Sequence, residues 1–193
     1  DFYKSFEGKF LIDYKKEYYV FTDAPQIYGE NEENVKKYYL NAQPWPLVTL
    51  LRFSTFLSIE KDLKNCDYLM FSNANIVCND YITADEFLPR DEKNEKIFVT
   101  SHPGYYGKSR LRYPYERSAK SLAYIPWNCG HDYVIGAMFG GTCDAFLSMS
   151  RVLKRRIEED LKNNVIALWH DESHLNRFIV EKSDVRVLHP KYC

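Results

Sequence analysis

The densest cluster of chemically capable side chains is Trp169-His170-Asp171-Glu172-Ser173-His174, directly after the apolar run Val165-Ile166-Ala167-Leu168. Three readings compete for it. His170 and His174 stand at i, i+4, a spacing that puts two imidazoles on one helical face as zinc proteases require. Glu172, however, lies midway between them instead of beside either, and would point away from a metal on that face. Asp171 can instead cap a following helix, with Trp169 packed below. In the third reading Asp171 and Glu172 form a carboxylate pair facing a polar ligand, one acid accepting hydrogen bonds while the other meets the reacting carbon. Glycosyl chemistry needs such an acid, because a departing sugar becomes cation-like and a nearby anion stabilises that charge.

Three further segments offer groups to a ligand. Asn73-Ala74-Asn75 follows the apolar run Tyr68-Leu69-Met70-Phe71, and strand alternation would turn both amides toward one side. The crevice beyond the carboxyl ends of strands is the usual ligand position in open α/β sheets. His102 follows Ile97-Phe98-Val99-Thr100, either as a hydrogen-bonded loop residue or as a group that holds a sugar hydroxyl. Tyr133 to Gly141 carries Gly136, Ala137, Gly140 and Gly141 inside a strand, which leaves room for a ligand or reflects close strand packing.

The elements that must position these groups alternate along the chain. Strands are expected at residues 17–22, 67–71, 97–100, 133–139, 165–168 and 185–188, from β-branched and aromatic content bounded by turn residues. Leu50, Phe53, Leu57 and Ile59 give a helical spacing that runs to about Leu63. Thr142 can cap a long helix with Phe146, Met149, Leu153, Ile157 and Leu161 on one face, and a further helix over 173–181 buries Leu175, Phe178 and Ile179. The charged run 29–37 reads as a solvated loop, and residues 102–121 as an ordered functional loop rich in Gly, Pro, Tyr and Arg. Alternating strands and helices predict an α/β fold.

Bulk properties narrow the class. With 45% hydrophobic and 27% charged residues the chain is an ordinary globular protein. A formal charge of −1 argues against nucleic acid as a partner. The 16 Tyr and 12 Phe suit packing, or stacking on sugars and bases. Five cysteines without a CxxC pair argue against a zinc ribbon and a small disulfide scaffold, and point to a reducing compartment. No stretch approaches the ~20 apolar residues needed to cross a bilayer, and the chain opens as though within a helix, with residues expected before Asp1.

The blocks WHDESHLN, HPGYYG, YER followed by AYIP, and the YxxGAxFGG run, with YYVFTD near the start, resemble glycosyltransferase family 6. This retaining family includes the blood-group A and B enzymes and the α-1,3-galactosyltransferase. The resemblance implies a GT-A glycosyltransferase fold: a single catalytic domain over 1–193 with a Rossmann-like nucleotide-binding α/β core and a mixed sheet. It implies α-1,3 transfer of N-acetylgalactosamine from UDP-GalNAc, or of galactose from UDP-Gal, to a galactose-terminated and fucosylated acceptor. A sugar-binding module that kept the fold without turnover is the rival from another class. Asn73 and Asn75 match the family's Asp-x-Asp, which holds manganese against the diphosphate in vertebrate members, whereas bacterial members resemble this chain in having Asn-x-Asn. The resemblance therefore implies donor binding by both asparagines with no metal, manganese being the alternative. It makes Glu172 the catalytic anion or nucleophile, in contact with acceptor as well. Arg52, Asp171, Ile135, Gly136 and Ala137 become donor-binding residues, and His102 and Trp169 acceptor-binding residues. A cytoplasmic, bacterial location is implied, or the Golgi lumen if an anchor lies outside the chain.

Departures from the family pattern also bear on function. Pro114 stands where the blood-group enzymes have an acceptor-touching threonine, which opens the identity of the acceptor. The first nucleotide-binding strand is not seen before Asp1, and the basic tail that closes over the donor in relatives is not seen after Cys193.

Overall fold

Contacts divide the chain into two units, Asp1–Val48 with Ala74–Phe87, and Thr49–Asn73 with Leu88–Cys193. A computed structural model describes all residues 1–193. In the first unit, helix α1 (Phe2–Lys9) sets aromatic residues four apart on one face. Phe2 stacks on Phe6 with centroids 4.2 Å apart, and Phe6 meets Phe10 at 5.1 Å. Phe10 packs edge-on to Phe87 in the short helix Ala84–Phe87. Strands β1 (Tyr18–Thr22) and β2 (Val35–Tyr39) pair in parallel. The charged run 29–37 is thus not wholly a solvated loop: from Val35 it enters a strand. Its lysines read as solvent-seeking but are ion-paired, Lys36 with Glu17 at 2.8 Å and Lys37 with Glu30.

The second unit is built on a four-stranded sheet. The expected continuous helix to Leu63 is instead broken into Leu47–Leu50, α2 (Arg52–Ser58) and Glu60–Leu63, interrupted at Leu51 and at Ile59. Strands β3 (Tyr68–Ser72), β4 (Ile97–Ser101), β5 (Val134–Thr142) and β6 (Val185–Leu188) lie in the order β3-β5-β4-β6. β5 is antiparallel to both neighbours, while β4 and β6 are parallel, which gives the mixed sheet of the GT-A type of fold. Helix α3 (Cys143–Lys162) buries Phe146, Met149, Leu153 and Ile157 at three- and four-residue intervals. Phe146 stacks on Phe139 of β5 and meets Phe56 of α2, so aromatic residues from three elements close this core. Thr142 does occupy the N-cap position of α3, without a side-chain capping bond.

Two elements next to the candidate site differ from expectation. Residues 165–168 do not form a strand; Ile166 and Leu168 are 53% and 56% exposed, and their segment is irregular. Two of its backbone donors are already taken, Val165 N by the Asp160 carbonyl at 2.8 Å and Leu168 N by the Glu116 carboxylate at 2.6 Å. Helix α4 (His170–Val180) consequently begins earlier than residue 173, so the acidic pair lies in its first turn. No helix is long and apolar enough to cross a membrane.

Candidate active site

The site is built around a gap in strand pairing. β3 pairs with β5 only as far as Ser72 opposite Met138, and β4 meets β5 again at Ser101 opposite Val134 after a register shift. Residues 135–137 therefore have no strand partner in register, yet buried backbone groups must be satisfied. The Ala137 carbonyl accepts from Asn73 N at 2.9 Å, and side chains serve Gly136 and the neighbouring Val134. Asn176 of α4 accepts from Val134 N at 3.0 Å and donates to Val134 O and to Glu172 O, both at 2.9 Å. Glu172 Oε2 accepts from Gly136 N at 2.8 Å, and Arg52 Nη1 donates to Gly136 O at 2.6 Å. Helix α4 thereby stands in for the missing strand, which fixes its first turn over the open part of β5.

Glu172 is held from two sides. Besides the Gly136 amide, the Tyr133 hydroxyl donates to Oε1 at 2.7 Å. Burial, and then the charge of Glu172, push the Tyr133 phenol up, so it remains a donor across the working pH range. Asp171 is buried and lies 3.2 Å from Arg52 Nη1, with a further hydrogen bond from Thr49. Burial pushes the Asp171 carboxyl up to about 6 although Arg52 and Thr49 pull it down. Burial likewise lowers Arg52, against the pull of Asp171 and Glu172. Desolvation thus opposes both charges of the pair, and at neutral pH both persist because each compensates the other. The Arg52 guanidinium also lies over the Phe71 ring at 4.4 Å, a placement suited to a weakly hydrated cation.

Gly136 lets the two acids sit close against the strand. A Cβ there would come within 3.3 Å of Glu172 Cβ and 3.4 Å of Asp171 Oδ2. Ile135 and Ala137 alternate with it and are partly exposed, which leaves them free to border a ligand. By contrast a Cβ at Gly140 would strike the Phe98 ring and the Leu69 carbonyl, and one at Gly141 the Lys96 carbonyl. Those two glycines serve strand packing alone.

The other anticipated residues fall as follows. His102 follows β4 directly; its Nδ1 accepts from Gly104 N at 3.0 Å, which puts the neutral ring's proton on Nε2 as a donor. Its ring lies 5.6 Å from that of Tyr133. Trp169 is the N-cap of α4 and 48% exposed, and its backbone N donates to Ser173 Oγ at 2.9 Å. His170 has φ 52°, unusual for a non-glycine residue, where the chain turns sharply into the acidic pair. Neither the cap nor the zinc reading of this segment describes it: Asp171 faces Arg52, and His174 is buried with Nε2 3.5 Å from Asp160. Burial also holds the His174 imidazole down to about 4, so it is neutral.

Asn73 and Asn75 do not share a strand face. Both lie beyond the end of β3 at Ser72, Asn73 partly buried with its N donating to Ala137 O at 2.9 Å, Asn75 exposed in the following turn and part of the first unit. Three contributors to the site were not anticipated: the Tyr133 hydroxyl, Asn176 and Thr49. Asn176 did carry a signal, since i, i+4 spacing from Glu172 places both on one side of a helix.

Comparison with known proteins gives this geometry a context. A family model described as glycosyltransferase family 6 matches residues 1–193. The chain is 36% identical over 177 residues to the O-antigen biosynthesis glycosyltransferase WbnI of Escherichia coli, covering 92% of this chain and 74% of the relative. It is 31% identical to histo-blood group ABO system transferase 2 of Rattus norvegicus, over 99% of this chain and 57% of the relative. A globoside alpha-1,3-N-acetylgalactosaminyltransferase 1 of Gallus gallus is 30% identical, over 99% of this chain and 56% of its own length. The chain therefore spans little more than half the length of these two animal relatives.

Proposed function

Because the chain belongs to glycosyltransferase family 6 and is a hexosyltransferase, we propose that it moves N-acetylgalactosamine from UDP-GalNAc to a fucosylated galactoside, in α-1,3 linkage and with retention. The observation that carries this reading is the Glu172 carboxylate, fixed by Tyr133 and Gly136 beside the buried Arg52–Asp171 pair. As the bond from the anomeric carbon to the diphosphate breaks, that carbon becomes cation-like and Glu172 supplies the compensating anion. The acceptor oxygen forms the new bond and its proton passes to the departing diphosphate. A transient covalent sugar on Glu172 and a front-face displacement use the same placement. Asp171 and Arg52 bind donor hydroxyls, Ile135, Gly136 and Ala137 border the donor sugar, and His102 and Trp169 meet the acceptor. Asn73 and Asn75 hold the nucleotide. The name of the chicken relative supports N-acetylgalactosamine as the sugar.

The proposed reaction needs no metal. A divalent cation against a diphosphate prefers anionic hard oxygens, and the side chains at 73 and 75 are neutral amides, a poor fit for manganese. An amide can still accept from a ribose hydroxyl and donate to a phosphate oxygen. One observation favours UDP-Gal as a second reading: Ala137 puts a methyl group, where glycine would leave space, on the partly exposed face of β5.

Turnover of UDP-GalNAc and UDP-Gal with a fucosylated galactoside, in EDTA and in manganese, tests the proposal together with Glu172→Gln. The expected result is N-acetylgalactosamine transfer in EDTA, lowered about 10³-fold by the substitution with UDP binding retained. A strict need for manganese would overturn the amide assignment, and an active Glu172→Gln enzyme the carboxylate assignment. Oligosaccharide binding without turnover of either donor would leave a binding module in place of an enzyme.

A further inference from the structure

Glu116 is a buried carboxylate, 7% exposed, that makes no ion pair. Burying such a charge is costly unless hydrogen bonds replace its hydration. Here each oxygen takes a backbone donor from a different segment: Oε1 from Ser118 N at 2.7 Å, and Oε2 from Leu168 N at 2.6 Å. The second bond spans 52 positions in the chain and ends on the residue before Trp169.

The loop that carries Glu116 is itself anchored. The Glu116 carbonyl accepts from Ile125 N at 2.9 Å, and Arg117 donates to the Ile125 carbonyl while lying 4.2 Å over the Trp127 ring. Further along, the Ser121 hydroxyl and the Leu122 amide donate to the two carboxylate oxygens of Asp160 in α3. The segment 165–168 has no strand partners; its path is held by Val165 N at one end, by Leu168 N at the other, and by the Ala167 carbonyl, which accepts from His170 N at 2.9 Å. Beyond it, Trp169 N is held by Ser173 Oγ at 2.9 Å. Of these restraints, only the one at Leu168 comes from outside helix α3, the α3–α4 connection and helix α4.

We infer that Glu116 is a positioning residue that fixes the peptide before Trp169 and thereby sets the pose of the indole against the acceptor sugar. The inference rests on the acceptor role proposed above for Trp169. A carboxylate suits the task because it accepts at both oxygens at once. Glutamine in its place accepts at one oxygen only and turns an amide N–H toward the other donor. One of the two segments is then released while the volume stays the same.

The discriminating measurement separates acceptor from donor. Glu116→Gln should raise the acceptor KM about tenfold, while donor affinity and the slow hydrolysis of UDP-sugar in the absence of acceptor stay within about twofold. A release of Leu168 worth about 1.4 kcal/mol corresponds to that tenfold change. Glu116→Asp, which keeps the charge but is one methylene too short to reach both donors, should behave similarly. Trp169→Ala is the control, with a larger rise in acceptor KM. If Trp169→Ala leaves the acceptor KM unchanged, the premise fails and the inference with it. If Trp169→Ala raises it and Glu116→Gln does not, the premise stands and the inference alone falls. Donor hydrolysis falling in step with acceptor use would overturn it too, since that is what general loosening does. Amide exchange at Leu168 in the unaltered protein tests the restraint whether or not the variants fold: slow exchange is expected, and exchange at the rate of a free amide would overturn it.

Discussion

Between Met138 and Thr142, strand β5 is bordered by β3 on one side and reaches β4 on the other, and its glycines face a ring and backbone carbonyls. Between Val134 and Ala137 the same strand is bordered by side chains from α4 and α2, and its glycine faces two carboxylates. The residue type is the same and the physical reason is not. In the paired half glycine permits close backbone approach, which is a folding requirement. In the open half it permits Glu172 and Asp171 to sit against the strand, which is a requirement of the site.

Alanine in each half separates the two. At Gly140 the new methyl group meets the Leu69 carbonyl and Phe98, and a backbone carbonyl cannot swing aside. Overpacking of this kind should cost about 3 kcal/mol or more of folding stability, seen in the denaturant midpoint or in loss of soluble protein. At Gly136 the nearest atoms belong to side chains, 3.3 Å away at Glu172 Cβ, and these can give by a few tenths of an ångström. Stability of Gly136→Ala should change by about 1 kcal/mol, while sugar transfer falls about 10- to 100-fold because the carboxylates are displaced. Equal stability losses at the two positions would erase the distinction between the halves of the strand.

That distinction was not visible in the sequence, where Gly136, Gly140 and Gly141 look alike. The strands themselves were legible: β3, β4, β5 and β6 are short runs of apolar and β-branched residues, and α3 shows its buried face at three- and four-residue spacing. Elements decided by distant partners were not. β2 carries lysines whose charges are met by Glu17 and Glu30, and the apolar run at 165–168 loses its strand to bonds from Asp160 and Glu116. The acidic pair stood out as a cluster and Arg52 came from the family resemblance, whereas the Tyr133 hydroxyl meets Glu172 across 39 positions and no local pattern encodes it.

Tyr133→Phe sharpens the comparison at lower amplitude. The substitution keeps the ring in its cluster with Tyr105 and Tyr115, at 5.0 and 5.5 Å, and removes only the donor to Glu172 Oε1. A hydrogen bond to a charged group is worth about 1.5 kcal/mol, so kcat should fall about tenfold with the KM for UDP-sugar within about twofold. An unchanged kcat would mean that the Gly136 amide alone holds the carboxylate, and that the open half of β5 acts through its backbone only.

The smallest effect concerns the acid that burial pushes up to about 6. Above that pH Asp171 is ionised and paired with Arg52, and can accept from donor hydroxyls; as pH falls through about 6 it takes a proton and loses the pair. A ligand that contacts the ionised form must bind more weakly on the acid side, because protonation competes with binding. The terminal phosphate of UDP itself titrates at about pH 6, so the control that isolates this group is the binding of the same UDP-sugar to Asp171→Asn. Calorimetry between pH 7.5 and pH 5 should show the ratio of UDP-sugar affinity in the unaltered protein to that in Asp171→Asn falling several-fold. A ratio that stays constant with pH would place the donor sugar away from the open half of the strand, even if Glu172 proves essential.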